Sequence, residues 1–212
     1  MKNMLINENG RSMIEMLGVL AIIGVLSVGG IAGYSKAMMM WRSNVQRNML
    51  TELISGIIQL KSHYYNDKTE SGEIDLTTTL GAMGLLPEEA KYNGNWIQDK
   101  YGVRAQVARL PVCWQAKTGT NCARVFVMRL WYVPTDGEGI SPYQELCRNV
   151  VQVTKPMANE IGELRSWKTE ENSKNYNIIY YGWNLAEETV AQTAQKCKNV
   201  AMGVHMTIVF NF

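Results

Sequence analysis

The chain has 212 residues, a formal net charge of +2 and a hydrophobic fraction of 46%. This length allows one domain with appendages, or at most two small domains. Because the charge is nearly balanced and Lys and Arg are scattered along the chain, the composition gives no indication of a specific nucleic-acid-binding protein.

The N-terminal region carries a long uncharged run. Residues 16–35 separate Glu15 from Lys36 without a single charge. A helix of twenty residues rises about 30 Å, which is the thickness of the hydrocarbon core of a bilayer. We therefore predict that residues 16–35 span a membrane. A plain secretory signal is disfavoured, because the charges of residues 1–15 cancel and the run is longer than a signal core.

The helical pattern continues after the apolar run. Apolar residues recur at the spacing of one buried stripe, at Leu50, Leu53, Ile54, Ile57 and Ile58. No proline interrupts this region. We predict one long helix from about Ser12 to about Tyr65 and assign residues 11–65 to it, with an apolar first half and an amphipathic second half.

Residues 66–212 are expected to form a globular head domain. Between residues 66 and 96 the composition is that of loops and short helices, and its apolar positions are expected to fold back onto the long helix: Leu80, Met83, Leu85 and Leu86. Strand patterns follow at residues 124–133, 175–183 and 204–212. In the last of these, Met206, Ile208 and Phe210 alternate with His205, Thr207 and Val209.

Two short helices are predicted from capping signals, one beginning at Ser141 and the other at Asn184. The expected buried residues are Leu146, Cys147, Val150 and Val151 in the first helix and Val190, Ala194 and Cys197 in the second. The predicted fold class is α+β, with a long N-terminal helix packed against an antiparallel sheet and short helices.

Four cysteines lie beyond the apolar run, at Cys113, Cys122, Cys147 and Cys197. An even number of cysteines outside the cytoplasm indicates disulfides in an oxidising compartment, with three possible connectivities. The absence of a C-x-x-C pair disfavours structural zinc. We favour Cys147 with Cys197, because both fall on apolar helix faces, and Cys113 with Cys122, because a hairpin turn in TGTN would bring them together.

No catalytic constellation is evident. His63 and His205 are isolated, and single acids such as Asp99 are too common to indicate chemistry. The acidic turn at residues 134–139 has carboxylates for calcium but lacks the EF-hand pattern, so a solvated loop is the simpler interpretation. We expect neither an enzyme nor a metal or cofactor site.

The stretch GRSMIEMLGVLAIIGVLSVGGIAGY resembles the N-terminus of the type IV pilins and pilin-like proteins. In that family a prepilin peptidase cuts after a glycine, and a glutamate lies five residues into the mature chain. The resemblance implies that residues 1–10 are a leader peptide, cleaved between Gly10 and Arg11, and that Arg11 becomes an N-methylated terminus. It also implies a pilin-like head, since LGAMGLLPEEAKYNGNWIQDKYG is similar to a loop of type IVb pilins.

The same resemblance implies how subunits assemble. Glu15 would neutralise the new amino group of Arg11 in a neighbouring subunit, which explains a carboxylate at the edge of an apolar run. Glycines in or next to the apolar run would allow close helix packing or local unwinding, at Gly18, Gly24, Gly29, Gly30 and Gly33. The other interpretation is that Glu15 only reaches the lipid headgroups and that the glycines are merely tolerated.

The function implied is that of a structural subunit of a type IV pilus-like filament. Its expected partners are further copies or other pilin subunits, the prepilin peptidase, an inner-membrane assembly platform, and lipid before assembly. The precursor would cross the bacterial inner membrane once, with the head outside the cytoplasm, before entering an extracellular or periplasmic filament. The alternatives are a pseudopilin of a type II secretion system and, in another class, a membrane-tethered binding or enzymatic domain.

Overall fold

A computed structural model describes residues 13–64, 72–132, 141–167, 176–198, 200 and 205–211. The predicted leader, its cleavage point at Gly10 and Arg11, and the acidic turn at residues 134–139 lie outside the described residues. The chain divides into two compact units, Met1–Arg42 and Ser43–Phe212, called here the first and the second unit.

The described helices and strands confirm an α+β chain with one long N-terminal helix. In chain order they are α1 (Met13–Tyr64), β1 (Ile74–Asp75), α2 (Thr77–Ala82), β2 (Lys91–Tyr92), β3 (Ile97–Gln98), β4 (Val103–Ala116), β5 (Gly119–Tyr132), α3 (Ser141–Thr154), a 3₁₀ helix (Lys155–Glu160), β6 (Ile161–Trp167), β7 (Tyr176–Tyr181), α4 (Gly182–Leu185), α5 (Val190–Lys198) and β8 (His205–Phe210).

All eight described strands belong to one antiparallel sheet. Its order is β2-β3-β4-β5-β8-β6-β7, and β1 pairs with β4 as well. The C-terminal strand β8 therefore lies in the middle of the sheet, between β5 and β6. β8 thus has a hydrogen-bonded neighbour along each edge, and it is buried along almost its whole length.

The hairpin of β4 and β5 differs from the sequence prediction. We expected a strand from Arg124 after a turn in TGTN, but β5 begins five residues earlier, at Gly119, and the turn lies at Lys117 and Thr118. Thr120 and Asn121 pair with β4 instead of turning. These residues lie at the exposed end of a long hairpin, where polar side chains suit a strand as well as a turn.

The core of the second unit forms between α1 and one face of the sheet. Leu50, Leu53, Ile54 and Ile57 are completely buried, and Ile58 is partly buried, as the stripe predicts. Burying a Leu or Ile side chain stabilises a fold by about 1.5–3 kcal/mol. The four buried residues thus attach this part of α1 firmly to the sheet.

The region before the hairpin confirms three of its four expected contacts. Leu80 is completely buried, and Leu85 and Leu86 pack against the core, but Met83 is 45% exposed. Met83 follows the last residue of α2, and Gly84 reverses the chain with a φ of +68°. The prediction for Met83 was wrong because the helix ends one residue too early to direct it inward.

Cys147 and Cys197 lie in two helices, of which the first agrees with its prediction and the second does not. Helix α3 begins at Ser141 and buries Leu146, Cys147, Val150 and Val151, as predicted. The helix expected from Asn184 is instead divided into α4 and α5, and the strand expected at residues 175–183 ends at Tyr181. In α5 the buried residues are Thr193 and Cys197, whereas Val190 and Ala194 are exposed.

Two disulfides join the pairs that the sequence favours. Cys147–Cys197 connects α3 to α5 and both residues are completely buried. Cys113–Cys122 joins directly opposite residues of β4 and β5, with Cα atoms 4.0 Å apart, and both cysteines are exposed. In the chain-entropy treatment the larger loop is worth about 4 kcal/mol and the smaller about 3 kcal/mol.

Candidate functional site

The first unit exposes an almost continuous apolar helix surface. In α1, large apolar side chains are more than half exposed at Met13, Ile14, Leu17, Leu20, Ile22, Val25, Leu26, Val28 and Ile31. The helix is long and apolar enough to cross a membrane, with a mean hydropathy of 2.2 in its most apolar window. An uncovered surface of this kind marks a membrane or protein contact.

The glycines of this helix are not needed by any contact that the described residues make. A Cβ atom built at Gly18, Gly24, Gly29, Gly30 or Gly33 would meet nothing within 4 Å. Each glycine nevertheless costs a helix up to about 1 kcal/mol relative to alanine. Gly29 and Gly33 lie four residues apart, on one face, where a second helix backbone can approach closely.

The hydroxyl groups of the apolar run are satisfied within the helix. Ser27 Oγ donates to the carbonyl oxygen of Ile23 at 2.7 Å, and Ser35 Oγ donates to that of Ile31 at 3.0 Å. Such bonds to the preceding turn remove the need for water as a partner. This part of α1 is therefore suited to a dry environment despite its serines.

Glu15 lies in the first turn of α1 and is exposed. The unpaired N–H groups of a helix N-terminus favour a carboxylate at that place. The structure brings Glu15 and the predicted glycines onto one helix, while Gly10 and Arg11 lie outside the described residues. The carboxylate and the apolar surface thus belong to one element.

The second unit offers no metal centre among its described residues. In the described part of the chain, no group of three or more His, Cys, Asp and Glu side chains could hold a metal ion. Asp99 is 4% exposed, and its Oδ1 accepts the N–H groups of Tyr101 and Val103, each at 2.8 Å. Burial raises the pKa of Asp99 above 3.8. Its role is to shape the turn before β4.

A row of aromatic rings crosses the sheet face opposite the main core, called here the outer face. The rings of Trp96, Trp131, His205, Trp167 and Tyr176 follow one another with centroid distances of 4.6, 5.2, 5.4 and 5.0 Å. The sequence analysis missed this row. Its members come from distant parts of the chain, so only the strand register brings them together.

His205 gives this row a predictable response to acid. Burial, and then the positive charge of Arg129, lower the pKa of His205 from 6.5 to about 4. The unfolded chain therefore binds a proton at a higher pH than the folded chain does. The contribution of His205 to the free energy of unfolding is therefore fully present above pH 6.5 and is lost as the pH falls towards 4.

The expected loss is about 1–2 kcal/mol, because the ring is partly exposed and the charge is screened. Urea unfolding of the wild type and of His205→Phe at pH 7 and pH 4.5 measures it. We expect the variant, which keeps a ring in the row, to lose less stability than the wild type. Equal losses in the two proteins would show that His205 does not carry the effect.

No protein-family model, curated protein or solved structure matches this chain. The described residues form an α+β protein with two disulfides and one apolar helix that could span a membrane. The pilin-like character of the chain stays a prediction from its N-terminal residues.

Proposed function

We propose that this chain is a structural subunit of a type IV pilus-like filament. It is made as a membrane-anchored precursor, cleaved after Gly10 by a prepilin peptidase, and assembled through α1. The observation that carries the proposal is the uncovered apolar surface of α1 with Glu15 in its first turn.

In this proposal the exposed apolar surface of α1 contacts different partners before and after assembly. Lipid covers it in the precursor, and the helices of neighbouring subunits cover it in the filament. The open glycine positions favour neighbouring helices as the cover, because they leave room for a second helix backbone to approach closely. A simple anchor accounts for the apolar residues and requires only that the glycines be tolerated.

Glu15 supports the proposal on electrostatic grounds. A carboxylate at the centre of a membrane span costs about 2.5–3.5 kcal/mol, and less near the edge. The amino group created at Arg11 of a neighbouring subunit would remove most of this cost by pairing with it. The pair forms only when the subunits are in register, so it selects the correct position in the filament.

Replacing Gly29 and Gly30 with leucine tests the packing of α1. We expect the double variant to enter the membrane normally. Its amount in the sheared filament fraction is expected to decrease by about tenfold or more, because a loss of 1.4 kcal/mol per contact corresponds to that factor in binding. Quantitative blotting of membrane and sheared fractions measures both amounts. The matched control is Val28→Leu with Ile31→Leu. It changes the shape of two apolar side chains but places no new side chain at a glycine position.

Unchanged assembly of the glycine variant would contradict close helix packing. A membrane-tethered binding or enzymatic domain predicts that result, together with normal function when Gly10 or Glu15 is replaced with alanine. The filament subunit predicts failure of processing in the first case and failure of assembly in the second.

A further inference from the structure

The outer face of the sheet carries a groove in the second unit. Its volume is about 440 Å³, within the range of small-molecule sites. The groove lies between the end of the β4–β5 hairpin on one side and residues of β6 and β7 on the other. It belongs entirely to the second unit and is independent of the apolar part of α1.

The floor of the groove is apolar. Val127 and Val209 are almost completely buried and pair across β5 and β8. Leu110 and Val112 of β4 pack against the same cluster and are partly exposed. Trp167 and Tyr176 line the groove as well, with their rings 5.0 Å apart. A ligand here therefore meets aliphatic and aromatic surface.

A guanidinium group is held rigidly at this floor. Arg165 is 6% exposed, and its Nε donates to Glu163 Oε2 at 2.7 Å. One of its terminal nitrogens donates to the carbonyl oxygen of Cys113, and its guanidinium carbon lies 4.6 Å from the ring centroid of Tyr176. Arginine has five N–H donors, so this geometry leaves donors for a ligand oxygen without a further ordering cost.

Two further polar groups line the groove. Thr207 Oγ accepts the indole N–H of Trp167 at 2.8 Å, which leaves the hydroxyl proton of Thr207 available to a ligand. Arg129 is held by an ion pair with Glu73. Donors from three neighbouring strands thus surround an apolar floor.

The charges of the groove balance. Arg165 is paired with Glu163, and Arg129 is paired with Glu73. An anionic ligand therefore gains little net attraction, because each guanidinium already has its carboxylate. A ligand that carries many hydroxyl groups around an apolar C–H face matches the fixed donors, the neutral charge and the aromatic rings together.

We infer that this groove binds a neutral saccharide. The C–H face of a sugar ring lies against the partly exposed side chains of Leu110, Val112 and Trp167, and its hydroxyl groups accept from Arg165 and Thr207. This binding goes beyond the role of a filament subunit and does not depend on assembly. It gives the head a ligand of its own.

The test titrates the full chain with neutral oligosaccharides. The protein is held in a detergent without a sugar headgroup and mixed with di- and trisaccharides of glucose, galactose and N-acetylglucosamine. Calorimetry and tryptophan fluorescence follow the binding, because Trp167 lines the groove. We expect at least one saccharide to saturate with a Kd of about 1 mM or tighter, in the range of weak specific binding.

Two pairs of variants locate the site. Val112→Phe fills the groove and Trp167→Leu removes an aromatic wall, and each is expected to weaken binding by about tenfold or more. The controls are Val190→Phe and Trp183→Leu, at residues that are 79% and 50% exposed and do not line the groove. Far-ultraviolet circular dichroism and thermal unfolding of all four variants verify the fold.

Three results would overturn the inference. One is the absence of saturation by every neutral saccharide tested. Another is equal weakening by the groove variants and their controls. The third is stronger binding of a uronic acid that disappears at 150 mM salt, which would assign the groove to anions. None of these results bears on filament assembly, which is measured separately.

Discussion

Replacing Glu15 with alanine is expected to lower the chain in the sheared filament fraction by about 100-fold or more, with no change in the membrane fraction. In the proposed filament the variant would leave the amino group of Arg11 in a neighbouring subunit without its carboxylate. Removing one partner of a buried ion pair costs about 3–5 kcal/mol, and each 1.4 kcal/mol is a factor of ten in binding. The measurement is quantitative blotting in a cell with an active prepilin peptidase and assembly platform.

The charge and the position of Glu15 are separated by two further variants. Glu15→Gln keeps the shape without the charge and is expected to fail like alanine, whereas Glu15→Asp keeps the charge and is expected to retain part of the assembly. Glu52→Ala is the matched control, because Glu52 is an exposed carboxylate of α1 in the second unit. Full assembly of Glu15→Ala would leave Glu15 as a residue that only meets the lipid headgroups.

Replacing Gly182 with alanine is expected to destabilise the second unit by about 3 kcal/mol or more. A Cβ atom at Gly182 would lie 1.6 Å from the carbonyl oxygen of Ile161 and 2.7 Å from its carbonyl carbon. Both are backbone atoms at the start of β6, so no side chain can rotate away. The end of β7 and the start of α4 must move instead, which disturbs the edge of the sheet.

Thermal unfolding measures this loss, and a decrease in Tm on the order of 10 °C is expected for a chain of this size. Gly81→Ala is the control, because a Cβ atom there meets its nearest neighbour, a ring carbon of Tyr92, at 3.4 Å, an ordinary contact. Alanine in α2 is expected to leave stability unchanged or to raise it by up to about 1 kcal/mol. A Gly182→Ala protein as stable as the wild type would contradict the close packing of α4 on β6.

The elements predicted best are those in which local pattern and burial agree. Helix α1 and its buried stripe follow from 3.6-residue periodicity, and α3 follows from the capping residues at Ser141. In these segments the short-range sequence already contains the information that decides the structure. Both cysteine pairs are predicted correctly as well, although the turn between Cys113 and Cys122 and the inner face of α5 differ from the prediction.

The arrangement of the sheet could not be predicted in the same way. β8 inserts between β5 and β6, and no local pattern specifies a pairing between such distant segments. In α5, periodicity predicts Val190 and Ala194 on the inner face, but the disulfide of Cys197 and the hydrogen bond between Tyr180 and Thr193 orient the helix differently. A short helix follows its tertiary contacts more than its own pattern.

The candidate sites also differ in whether neighbouring residues along the chain or strand pairing brings their members together. Glu15 and the glycines are neighbours along one helix, so the sequence alone identifies them. The aromatic row and the groove depend on register, since Trp131, Trp167 and His205 lie on three strands. One-residue slips would turn each ring to the other face of the sheet, and only the folded chain determines which face each occupies.

The proposal that the chain is a prepilin is tested by the intact mass of the protein from cells with an active prepilin peptidase. N-terminal sequencing of the same material identifies the first residue. The proposed function predicts a chain that begins at Arg11 and lacks residues 1–10, with an added methyl group as further support. A chain that still begins at Met1 would contradict the claim and leave α1 as a simple membrane anchor.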